Sequence, residues 1–184
     1  MDLTGKLLIA MPGMGDARFD KSVIYLCAHS PEGAMGLIVN KPAHELTFSH
    51  LLEQLGLQQM AEGTDVRVHF GGPVEHGRGF VLHTADYPGG EATLRVDGRF
   101  SMTATMDILQ AIAEGRGPER FIMALGYAGW GPGQLEGEIL RNGWLTAEAG
   151  PELVFSMQNS GKWEKALRTL GVDPVGLSGA AGRA

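Results

Sequence analysis

A single cysteine, Cys27, stands in the whole chain, so no intramolecular disulfide framework can form, as in a reducing compartment. No apolar run approaches the ~20 residues that span a bilayer. The opening stretch Met1–Gly15 is acidic before its lysine and apolar only over Leu7–Pro12, too short for a secretory core. It reads as a first strand, and the chain is expected in the cytoplasm with no membrane partner. Blocks of like charge are missing too. The 15 Lys and Arg are scattered among 21 Asp and Glu, leaving a net charge of −6. Phosphate contacts come mainly from Lys and Arg, so direct binding to nucleic acid or an anionic membrane is disfavoured.

The familiar catalytic signatures are also absent. There is no GxSxG elbow and no GxxxxGK[ST] phosphate loop, since Gly161-Lys162 runs into Trp163. Gly77-Arg78-Gly79 and Gly115-Arg116-Gly117 each lack the third glycine of a dinucleotide fingerprint. Without HExxH, His44 and His50 stand six apart with no third ligand nearby. No catalytic residue, metal site or cofactor is therefore assigned.

What the chain does have is glycine, 28 in 184 residues, roughly twice the usual ~7%. These glycines follow no period and flank short apolar runs, which points to tight loops on a rigid scaffold. Lys6–Met11, Ser22–Ala28 and Ala34–Asn40 are apolar on both faces, as interior strands are. Asp65–Phe70 alternates, with Val66, Val68 and Phe70 inward and His69 on a wet face. Gly79–Thr84 and Phe121–Tyr127 complete the strands. Around Asp97-Gly98 a three-residue loop, Val96–Gly98 with left-handed Gly98, pairs Leu94 with Phe100 and Ala92 with Met102.

Helices are expected over Thr47–Leu55, with Thr47 as N-cap and Gly56 as terminator, and over Met106–Glu114, ending at Gly115. Pro132–Asn142 opens with a proline suited to a first turn. Ser160–Leu170 sets Trp163, Ala166, Leu167 and Leu170 on one side and Lys162, Glu164, Lys165 and Arg168 on the other. Consecutive strands with about four unevenly placed helices favour an α+β fold with a mixed, mostly antiparallel sheet. One domain is expected over residues 1–171, with a frayed tail over 172–184.

Cys27 and His29 lie two apart on a strand, hence on one face, as a thiolate and its base would require. Cys27 sits in an apolar run and reads as an inert buried thiol. His29 ends its strand and reads first as a cap for a loop, with acid–base work as the alternative. His83 reads as a core histidine. Glu136 and Glu138 fall on opposite sides of a helix and cannot work as a carboxylate pair, while Glu138 can meet Arg141 or Asn142. Asn40 and Gly72 are expected at positive φ.

The segment Gly126–Glu138, GYAGWGPGQLEGE, is the densest in glycine. Its structural reading is a strand-to-helix crossover with Trp130 plugging the core, and Gly137 marks close packing. Its functional reading is an open helix start, with amides at Gly131, Gly133 and Gln134 free to face an anion.

The run MPGMGDARFDKSVIYLCAHSPEGAMGLIVNKP, then GGPV at Gly71–Val74, GFVLH at Gly79–His83 and GYAGWGPGQLEGEI at Gly126–Ile139, resembles the AlgH/YqgE family of bacterial proteins. The likeness runs from Leu3 to the C-terminal LSGAAGRA. Where that family reads Asp-Pro-X-Phe, this chain has Asp16-Ala17-Arg18-Phe19, which loosens the loop and weakens any role carried to Asp16. The resemblance implies a sheet curled towards a partial barrel and a family label of transcriptional regulator.

Two functions are weighed on this basis. The first is a non-enzymatic regulatory or adaptor domain acting through a protein or small anionic ligand. The binding residues assigned to it are Asp16, Phe19, His29, Asn40, His83, Trp130, Gly131, Gly133 and Gln134. The second is a hydrolase or transferase on an anionic small molecule. It requires at least two of His29, His83 and Asp16 to converge beside the Pro132 turn.

Overall fold

The structure is a computed structural model that describes residues 1–57, 67–104 and 106–177, without the side chain of His44. Its strands are β1 (Lys6–Ala10), β2 (Val23–Ser30), β3 (Gly33–Ile38), β4 (Pro42–Thr47), β5 (Arg67–Phe70), β6 (Val74–Thr84), β7 (Thr93–Arg95), β8 (Phe100–Thr103), β9 (Phe121–Trp130) and β10 (Trp144–Glu148). Among them run α1 (Phe48–Gln54), α2 (Met106–Ala113), α3 (Gln134–Leu140), α4 (Pro151–Val154) and α5 (Lys162–Thr169). The four expected helices are present, and α4 is a fifth of one turn. Asp65, Val66 and the residues from Ser178 on lie outside the described residues. No described helix is long and apolar enough to cross a membrane.

The strands form one α+β sheet in the order β10-β1-β2-β3-β9-β6-β8-β7, curled into a half-barrel, with β4 and β5 off that path. Every pairing is antiparallel except β5 with β9. One face carries Tyr25, Phe80, Phe100 and Ile122 beneath Val154, Trp163 and Leu167 of α4 and α5. The other face is split: α3 covers Leu8, Ile24 and Trp130 through Leu135, and α1 with α2 covers Val81 and Met123.

Strand β9 serves both halves because it changes face at Gly126, which has φ +75°. Ala124 points into the α5 side, whereas Ala128 and Trp130 point into the α3 side. Before the flip β9 pairs with β5 and β6, and after it with Val74 of β6 at Tyr127 and then with β3. The Gly71-Gly72 turn crosses directly over this point. A Cβ on Gly72 would lie 2.1 Å from the Tyr127 carbonyl carbon, and one on Gly126 2.4 Å from the Gly72 oxygen. Two of the loops that carried the family resemblance are therefore one contact.

Caps follow the sequence reading closely. Thr47 accepts a hydrogen bond from the His50 amide, and Gly56 turns left-handed after α1. Gly115, φ +78°, does the same after α2. Other expectations need correction. The β7–β8 hairpin pairs Leu94 with Met102 and Arg95 with Ser101. Its loop is held by the Asp97 carboxylate, which accepts from the Arg99 and Phe100 amides, and Gly98 is not left-handed. An aspartate turn thus overrode the glycine turn.

Asn40 is not at positive φ, since its amide side chain does the turning, accepting from the Val23 amide and donating to the Lys21 carbonyl. Gly72 is, at φ +155°. Gly137 faces the Arg141 guanidinium rather than a neighbouring backbone. The tail keeps contact as far as described: Val172 and Leu177 pack on the core around a short turn at Pro174–Gly176.

Two polar residues expected at the surface are buried. His69 is 5% exposed, because Asn159 meets its ring on the face that alternation alone leaves wet. Lys162, expected on the open side of α5, is buried at the start of that helix and reaches back to the Val39 and Val154 carbonyls. Trp163, Ala166 and Leu167 are inside as expected, but Leu170 is exposed at 41%, because α5 ends at Thr169.

The crossing makes a sharp contrast testable. Gly72→Ala must push two backbones apart and should cost at least ~3 kcal/mol or prevent folding. Gly133→Ala meets no atom within 4 Å and carries only its left-handed penalty, about 1–2 kcal/mol. Urea melts of both variants measure the difference, and similar midpoints would contradict the crossing.

Candidate functional site

The expected site residues gather around α3, except Asn40, which is spent on the Val23 and Lys21 backbone, and His83. Trp130, at the end of β9, is 7% exposed and donates its Nε1 hydrogen to Glu138 Oε2 at 2.9 Å. It meets Trp144 edge-on at 6.0 Å, and Trp144 meets Phe19 in the same way at 5.7 Å. This aromatic chain ties the Asp16–Phe19 loop to the glycine-rich segment. Asp16 caps the short turn Ala17–Phe19 by accepting from the Arg18 amide, and its carboxylate pairs with the Arg18 guanidinium at 2.7 Å. That hydrogen bond holds the Asp16 carboxyl below the usual carboxylate range. The loop therefore closes without the family's proline.

His29 is bonded on both ring nitrogens. Nδ1 accepts from the Leu3 amide at 2.9 Å, so Nε2 carries the hydrogen and donates to Glu136 Oε1 at 2.5 Å. The bond lowers the Glu136 pKa. Cys27 is not its neighbour. The β2–β3 register slips between Leu26 and Ala28, and this bulge sends Cys27 into the α5-side core and His29 towards α3. Burial pushes the Cys27 thiol up to about 12, as expected of an inert thiol. Glu136 and Glu138 thus leave α3 in different directions, one to each partner. Glu138 is taken by Trp130, where Arg141 had been the expected contact.

The start of α3 also differs from the sequence reading. The helix begins at Gln134, two residues after Pro132, and spans seven residues. Gly133 sits before it at φ +71°, and the Gly131 amide donates to Gln134 Oε1 at 3.0 Å. An anion reaching that amide would have to displace the Gln134 side chain.

His83 lies elsewhere, fully buried between β6 and β8. Nδ1 donates to the Thr84 carbonyl at 2.8 Å, and Nε2 accepts from Thr103, which also meets Thr93. Burial lowers its pKa. Among the described residues no group of three His, Cys, Asp or Glu side chains is placed to hold a metal ion.

Beside His29 and Trp130 opens a cleft of about 760 Å³ between the β2–β3 hairpin, β6 and the end of β9. Its apolar wall is Met35, Phe80, Met102 and Tyr127. Arg78 stands over the Phe80 ring at 5.1 Å on one side, and Glu32 lines the hairpin side. The sequence reading missed these residues because they come from four strands. The one local signal was that Gly77-Arg78-Gly79 is not a nucleotide motif and yet interrupts an apolar strand.

A family model described as AlgH-like matches residues 7–175. A UPF0301 protein of Cereibacter sphaeroides (strain ATCC 17023) is 60% identical over 184 residues, covering all of both chains. One from Jannaschia sp. is 61% identical over all of this chain and 96% of its own. The solution structure of the AlgH protein from Pseudomonas aeruginosa superposes with a TM-score of 0.80 at 40% identity, over 94% of this chain and 91% of that one. A crystal structure of the Corynebacterium diphtheriae protein DIP2367 shares the fold, with a TM-score of 0.75 at 20% identity over 95% and 89% of the two chains.

The histidine contacts assign opposite tautomers. At pH 8, long-range 1H–15N correlation should find His29 protonated on Nε2 and His83 on Nδ1. A hydrogen on Nδ1 of His29 would break its assignment to Leu3 and Glu136, and one on Nε2 of His83 would break its bond to the Thr84 carbonyl.

Proposed function

The chain belongs to the AlgH-like family, and from that membership we propose that it is a regulatory or adaptor domain binding a protein or small anionic partner in the cleft above Tyr127. The observation that carries this reading is the cleft itself: an open apolar wall with an arginine beside it. Methionine suits such a surface, because its flexible thioether adapts to differently shaped partners. At its rim His29 and Trp130 are held by hydrogen bonds to Glu136 and Glu138, so that edge is preorganised. Action is in the cytoplasm, and regulation of transcription, the family label, proceeds through the bound partner. The net charge of −6 supports that route over direct DNA contact.

The enzyme reading loses its support. The cleft that His29 lines includes neither His83 nor Asp16. Both ring nitrogens of His29 and of His83 are engaged, and Asp16 is held by Arg18. A base for proton transfer needs a free nitrogen or oxygen within reach of the substrate.

Met35→Glu places a charge in the apolar wall at a half-buried position. Affinity capture from the native lysate should lose the wild-type partners at least tenfold with this variant, while circular dichroism stays unchanged. Capture of the same set by both proteins would sink the cleft reading.

A further inference from the structure

The layer formed by α4, the turn at Asn159–Gly161 and α5 sits on the sheet through a buried polar seam that the cleft does not use. Lys162 is 1% exposed, and its Nζ donates to the Val39 and Val154 carbonyls at 2.8 Å each. His69, on β5, has Nδ1 3.3 Å from the Met123 carbonyl and Nε2 3.0 Å from Asn159 Nδ2. A carbonyl only accepts, so Nδ1 carries the hydrogen and Nε2 accepts from the Asn159 amide. Among the described residues no carboxylate pairs with either group. Glu152 on α4 and Glu164 on α5 form no ion pair with them, Arg67 at the rim donates to the Met157 carbonyl, and Lys41 beyond Val39 reaches the Arg18 carbonyl.

We infer that this seam is an acid-released latch: a second proton on His69 sets the α4–α5 layer free from the sheet. That proton lands on Nε2, which then points a hydrogen at the Asn159 NH2 group. Its nearest acceptor is Asn159 Oδ1 at 3.3 Å, so the short 3.0 Å contact with Nδ2 is lost and only the longer one can replace it. The new imidazolium also lies in a buried seam with the Lys162 ammonium, and among the described residues no ion pair offsets either charge.

The direction follows from linkage. His69 is held below its ordinary value by burial first and by Lys162 second. Once undocked, the ring faces water and regains an ordinary pKa of about 6.5. The undocked form therefore binds the proton better, and docking weakens as pH falls below about 6.5. The opening constant rises by up to about tenfold per pH unit until the lowered pKa of the docked ring is passed. Burial pushes Lys162 down to about 7, so its own proton weakens docking above that pH, and the His69 contribution is the part of the fall below it that His69→Gln removes.

Amide hydrogen exchange between pH 8 and 5, corrected for the intrinsic pH dependence of exchange, tests this. Protection of residues 151–169 should fall about tenfold per unit below pH 6.5, while β1–β3 keep theirs. His69→Gln should flatten the fall, and His83→Gln should leave it in place. A His69→Gln profile that parallels the wild type overturns the latch. Should that variant not fold, the wild-type ring resonances decide: His69 must titrate together with the Trp163 signals, and titration without them also overturns it.

Discussion

Two chain segments can cross at backbone contact only where neither has a side chain in the way, and this fold is built on one such crossing. Gly71-Gly72 passes over β9 at Gly126-Tyr127, with each glycine occupying space that a Cβ would take from the other backbone. The crossing delivers β5 to one edge of β9 and β6 to the opposite edge. The left-handed Gly126 then turns the remainder of β9 over, so that Trp130 reaches the α3 side. Without that reversal, regular alternation would keep Ala128 and Trp130 on the same face as Ile122 and Ala124, and the α3 side would lose them.

The cleft and the α3 platform both descend from this reversal. Because β9 turns over, Tyr127 stays on the α5 side with Phe80 and Met102, while Trp130 joins Trp144 and Phe19. The seven-residue α3 is too short to be stable from helix propensity alone. Leu135 anchors it in the core, and Glu136 and Glu138 bind it to His29 and Trp130. Groups that looked available for chemistry are spent on holding the scaffold, which leaves the apolar cleft as the accessible feature.

Glycine-dense loops in this chain are accordingly architectural, and its polar residues divide by burial. Near α3 the buried contacts bring opposite charges or matched donors and acceptors together. Beneath α5 they bring together two groups that both gain positive charge. That asymmetry makes the C-terminal layer the part of the fold most exposed to solution conditions.

Local chemistry was enough to read the α+β class, most strands, the caps at Thr47, Gly56 and Gly115, the inert Cys27 and the family, since each depends on neighbours a few residues away. Even the face of His29 escaped that reading, because a bulge of one residue reverses strand alternation and is written in the pairing of β2 with β3. The burial of His69 and Lys162, the partners of Glu136 and Glu138, and the walls of the cleft were decided by tertiary structure alone. Each depends on atoms brought from strands or helices distant in sequence, and periodicity carries no information about what lies across a gap.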